Sequence, residues 1–110
     1  MTSVSDAMGD RLRPLLKKLP VVEKKMFGGL GFMLAGNMLI GTTAKGDLLV
    51  RVDPAKMHDA LTRTGAYEMH MGPRAMTGFV AVNTTGTATA TQLADWVKYA
   101  HTYVKTLPAK

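Results

Sequence analysis

The chain of 110 residues contains no cysteine, and its only serines are Ser3 and Ser5. The missing thiols exclude disulfides, cysteine-ligated iron–sulfur clusters, thiolate zinc sites and a thiol nucleophile. They also fit a reducing, cytoplasmic setting. With two N-terminal serines there is no Gly-x-Ser-x-Gly nucleophile elbow. Base-stacking rings are few: three Phe, three Tyr and one Trp. No apolar run approaches the roughly 18–20 residues of a membrane span. Met1 to Arg13 has no apolar stretch after a basic start, so no signal peptide is expected.

Acidic residues are also scarce, eight against fourteen basic ones, giving a net charge of +6. Such a balance suits either a well-solvated surface or encounter with polyanions. Arg11, Arg13, Lys17, Lys18, Lys24 and Lys25 all precede Met26. They form a mild cationic cluster that could contact nucleic-acid phosphates, and such binding would weaken steeply with salt. At 46% hydrophobic residues the chain can bury a core as one domain spanning residues 1–110.

The sequence shows no repeat, linker or shift in composition. Met8, Leu12, Leu15, Leu16 and Leu19 fall on one stripe, predicting a helix from Ser5 to Leu19 that Pro14 disturbs and Pro20 ends. The stretch KKMFGGLGFMLAGNMLIG follows, from Lys24 to Gly41. A two-residue turn at Gly36-Asn37 and a second at Lys45-Gly46 predict a three-stranded antiparallel meander. Phe32 would then face Gly41, and Thr43 would face Leu48. One sheet face would carry Leu30, Phe32, Leu34, Leu39, Leu48, Val50 and Val52, as a core face. The other would carry Phe27, Gly29, Gly31, Met33, Ala35, Met38, Ile40, Thr42, Leu49 and Arg51. The glycines therefore read as strand residues. A dinucleotide loop would need a third glycine where Leu34 stands, followed by a helix, and a Walker loop would need Gly-Lys-Ser/Thr.

Asp53-Pro54 opens a short helix that runs to about Thr64 and stops at Gly65. Tyr67 to Met71 and Met76 to Val82 alternate as strands about a Gly72-Pro73 turn. Thr89 and Gln92 have capping-box spacing, and Leu93, Trp96, Val97, Ala100, Val104 and Leu107 form the stripe of a last helix. The order α-β-β-β-α-β-β-α describes a two-layer α+β domain, with helices packed on one antiparallel sheet.

Little in this frame carries chemistry. His58, His70 and His101 sit on three different elements with no metal-ligand spacing. In a strand His70 points away from Met69 and Met71, so a soft-metal site is not expected there. No carboxylate pair or activated hydroxyl stands out, and neither catalysis, a cofactor nor a metal is expected. Met33, Met38, Ile40 and Leu49 would form an apolar patch if no helix covers the second face. Methionine-rich patches of that kind mark partner or self-interfaces, including a homodimer. Arg51 and Arg74 could instead grip a small anionic ligand near the glycines.

Five segments together resemble the TfoX N-terminal domain family: Lys25 to Phe32, Gly36 to Met38, Leu49 to Val52, Arg74 to Val80 and Leu93 to Val97. The motif residues are Met26, Phe27, Gly28, Gly29 and Gly31, then Met76, Gly78 and Phe79. The resemblance runs from about Leu12 to Leu107. It implies a two-layer, secretion-chaperone-like α+β fold. It also implies a link to bacterial regulators of natural competence and transcription, of which this chain would carry the N-terminal domain. It supplies no catalytic residues. The reading it favours is a non-enzymatic, cytoplasmic interaction domain that binds a protein partner or itself. The alternatives are a nucleic-acid-associated regulator and a binder of small anionic ligands.

Overall fold

The computed structural model describes residues 4–26, 28–71 and 73–109. Helix α1 spans Val4–Leu16. Strands β1 (Val21–Met26), β2 (Gly29–Leu34), β3 (Asn37–Thr42) and β4 (Leu48–Arg51) follow. A 3-10 turn at Pro54–Lys56 leads into α2 (Met57–Leu61). Strands β5 (Ala66–Met71) and β6 (Arg74–Val82), a 3-10 turn at Thr84–Thr87 and α3 (Ala90–Val104) complete the chain. The strands form one antiparallel sheet in the order β1-β2-β3-β4-β6-β5, and the class is α+β. Among the described residues no helix is long and apolar enough to cross a membrane.

Residues paired directly across an antiparallel sheet share a face, so the registers define rows. One row runs Glu23, Phe32, Ile40, Val50, Val80, Glu68. Its four central members lie in the core cluster with Met8, Leu12 and Leu16 of α1, Ala60 of α2, and Leu93, Trp96, Val97, Ala100 and Val104 of α3. All three helices therefore contribute to the core on this one face. The next row runs Lys24, Gly31, Gly41, Leu49, Ala81, Tyr67 on the opposite face.

Four details differ from the expectation. Strand β1 adds a sixth strand at the sheet edge. Helix α1 keeps Pro14 inside it but stops at Leu16, short of Leu19. Pro14 removes one helical N–H and crowds the carbonyl four residues back, and the helix does not outlast it by a full turn. The first hairpin turns at Ala35-Gly36, with Leu34 opposite Asn37, one residue earlier than predicted. Both central residues have positive φ, +51° and +84°, as this tight turn requires. The second loop closes Thr43 against Asp47, and Thr42 faces Leu48.

The register of β2 on β3 shifts between Phe32 and Met33, where Leu39 is the extra residue. The bulge turns both Leu39 and Ile40 into the core. Ile40, placed by sequence on the second face, is fully buried among the helices instead, and Thr42 moves with it. The rest of the predicted core face stands, with Leu34 packed at its margin. The α2 region opens as expected, with Asp53 accepting from the Ala55 N–H at 2.9 Å. The capping box of Thr89 and Gln92 starts α3. Of the Gly72-Pro73 turn, Gly72 lies outside the described residues.

Candidate functional site

The face of the sheet opposite the helices is not flat. Gly31, Gly41 and Ala81 place nothing larger than a methyl group in its central row. A Cβ on Gly41 would lie 2.3 Å from the Leu30 carbonyl oxygen and 2.8 Å from the Met38 Cε. Small residues here admit close backbone approach and leave room for neighbours to fold inward. Leu49, on the face opposite the core cluster, is only 3% exposed. Tyr67, Met69 and Met76 from β5 and β6, with Thr43 to Lys45 of the β3–β4 loop, line a groove of about 470 Å³ around it.

Of the four residues expected to form an exposed patch, Ile40 belongs to the core, and Met38 and Leu49 are 8% and 3% exposed. Met33, opposite Met38, stays half-buried. The accessible apolar surface lies further along the same face. Tyr67 is 37% exposed at one sheet edge and Val22 58% exposed at the other. The sequence signal for Tyr67, Met69 and Met76 was their strand alternation, which identifies a face but not which face.

The Tyr67 hydroxyl donates to Asp47 Oδ2 across 2.5 Å, joining β5 to the loop before β4. Burial first, then this carboxylate, push the phenol up to about 12. Glu68 and His70 of β5 also line the groove, with His70 Nε2 and Glu68 Oε2 3.7 Å apart. Strand β5 is the last strand of the sheet, so its outer backbone groups face no further strand.

The cationic cluster is divided. Arg11 donates to the Thr87 carbonyl at 2.6 Å. Arg13 binds Glu23 through two hydrogen bonds, at 2.8 and 3.1 Å, and is paired with Asp10. The Glu23 bond is the main cause that raises its guanidinium above the ordinary value. Lys17 lines a shallow groove with Phe32 and Glu23, whereas Lys18 lines a different one with Val97 and His101. Lys24 and Lys25 are exposed on edge strand β1.

Arg51 closes β4 opposite Phe79, with its guanidinium carbon 5.1 Å from that ring and 5.9 Å from the Tyr103 ring. Arg74 lies opposite Met71 at the start of β6, and its side chain is outside the described residues. The two arginines are five residues apart along β6, and β3 separates Arg51 from the glycines of β2.

The described motif residues lie in or between strands of the sheet. Met26 pairs with Gly29 and Gly31 with Gly41, while Gly28 turns between β1 and β2 and Phe27 lies outside the described residues. The Met26 side chain is likewise outside them. Gly78 is buried in the irregular stretch of β6, where its carbonyl accepts from Val52 N at 2.8 Å. Among the described residues no group of three or more His, Asp or Glu side chains could hold a metal. His58 and His70 are exposed, and His101 is half-buried on α3.

A family model described as the TfoX N-terminal domain matches residues 12–103. No curated protein and no solved structure matches the chain.

Proposed function

The chain belongs to the TfoX N-terminal domain family, and from that premise we propose that it is a non-enzymatic regulatory domain that pairs with a second copy of itself through β5. The observation that carries this reading is the pattern Tyr67-Glu68-Met69-His70-Met71 on an edge strand. A two-fold axis through Met69 sets Glu68 of each copy opposite His70 of the other. Opposite charges in directly facing positions favour the pair. The backbone edge would be satisfied at the same time, and the grooves beside Leu49 would meet across the seam. Methionine suits such a surface because it adapts its shape. Any role in competence or transcription control would be exercised by the paired form.

Light scattering over a concentration series tests this, at low and high salt and with a mixed DNA duplex added. The expected result is a dimer that ignores DNA. His70→Glu should yield monomers by setting carboxylates against each other, and the exchange variant Glu68→His/His70→Glu should restore the pair. A parent chain that stays monomeric at submillimolar concentration, or gains mass only with DNA at low salt, overturns the reading.

A further inference from the structure

Helix α3 carries a second stripe beside its core-facing one. Asp95, Lys98, Tyr99, Thr102 and Tyr103 recur at helical spacing and, with Thr106 just past the helix, form one wall of a groove. Asp53, Lys56 and Arg63 form the other. Its volume, about 460 Å³, lies in the range of small-ligand sites. It is separate from the β5 edge and from the groove beside Leu49.

Three cations, Lys56, Arg63 and Lys98, and two carboxylates, Asp53 and Asp95, line this groove. Asp53 caps the turn after it through Ala55 N. Asp59 accepts from the Tyr99 hydroxyl at 3.2 Å and lies 4.0 Å from Arg63. Arg63 in turn lies over Tyr99 at 4.4 Å and Trp96 at 5.5 Å. Lys56 and Lys98 form no ion pair among the described residues. Arg51 does not line the groove; it stacks on Tyr103, which does. Rings hold its guanidinium where a carboxylate would be usual, and its buried Nε has no hydrogen-bond partner among the described residues. Lys56, Arg63 and Lys98 outnumber the two carboxylates that line the groove, Asp53 and Asp95, which favours an anionic ligand there.

The rest of the wall specifies what the anion is attached to. Tyr99 and Tyr103 present rings suited to a flat partner. The hydroxyls of Thr102 and Thr106 already donate to the carbonyls of Lys98 and Tyr103, at 2.8 and 2.6 Å. They are left as acceptors, as is the carboxylate of Asp95, and all three suit ring N–H donors.

We infer that this groove binds a phosphorylated nucleoside, with Lys56 and Lys98 on the phosphate and the base against Tyr99 and Tyr103. The mode uses charge-assisted contacts at one end and stacking with acceptor groups at the other.

Titration calorimetry on the intact chain tests it with AMP, GMP, CMP and UMP, with adenosine, benzoate and inorganic phosphate as partial ligands. At least one mononucleotide should bind saturably and more tightly than any partial ligand. Lys98→Gln, an exposed change that leaves the core untouched, should weaken it by about tenfold or more, the worth of one charge-assisted hydrogen bond. Lys56→Gln, likewise exposed, should do the same, while Lys45→Gln in the other groove should not. No heat from any mononucleotide at millimolar concentration, equal binding of benzoate, or indifference to Lys98→Gln overturns the assignment.

Discussion

The side-chain amide of Asn37 donates to the carbonyl oxygen of Pro108 across 2.9 Å, and so ties the β2–β3 turn to the chain just beyond α3. Asn37 is buried, which makes this bond costly to lose. Asn37→Ala should lower unfolding free energy by about 1–3 kcal/mol, the penalty for stranding a buried polar partner. Urea unfolding followed by circular dichroism measures it. An unchanged midpoint would show that the two segments are held by packing alone.

Gly41 and Gly9 are both buried but should respond differently to alanine. A methyl group on Gly41 meets the Leu30 carbonyl oxygen at 2.3 Å, a backbone atom that moves only if β2 and β3 separate. Gly41→Ala should therefore cost about 1–3 kcal/mol or more. A methyl group on Gly9 crowds the end of the Leu30 side chain, at 2.6 Å, and meets the Arg13 guanidinium at an ordinary 3.6 Å. There the gain in helix propensity, about 1 kcal/mol, offsets the rearrangement. Gly9→Ala should fall near the parent in the same unfolding experiment, and equal losses would contradict the close approach of the strands.

Tyr67 makes stability sensitive to alkali. Its folded-state value of about 12 stands above the ordinary 10, so the folded chain keeps a proton that the unfolded chain has released. Stability is complete below pH 10 and falls as pH rises from 10 towards 12. Tyr99 is raised in the same direction, by burial first and then by Asp59. Tyr67→Phe should flatten the fall of the urea midpoint over that window, and Tyr67→Phe/Tyr99→Phe should flatten it further. A slope identical to the parent's would remove both phenols from the account.

The sheet-facing core was readable because period-two alternation and the helix stripes agreed on it, from Leu30 and Phe32 to Leu93 and Val104. Strand β1 was not, because an edge strand tolerates charge and Val21–Met26 reads as part of a cationic cluster. The turn slipped by one residue because Asn37, a good turn residue by itself, is claimed by Pro108 far along the chain. The turn falls instead on Ala35, which bears positive φ at some local cost. That slip, with the bulge at Leu39, moved Ile40 from the expected interface into the core. The α3 groove was hidden for a related reason. The ring spacing of Tyr99 and Tyr103 is visible in sequence, but only folding brings Arg51 and Arg63 to those rings.

The sheet ends in two unlike borders. At β1 the exposed Lys24 and Lys25 make any further strand bring its own charges or be repelled. At β5 the border has no lysine or arginine between Ala66 and Met71. An assembly that grows by adding strands therefore has one open end per molecule. Two copies joined there would close the series, leaving only lysine-bearing borders outward. The chain would then stop at a pair instead of lengthening into a fibre.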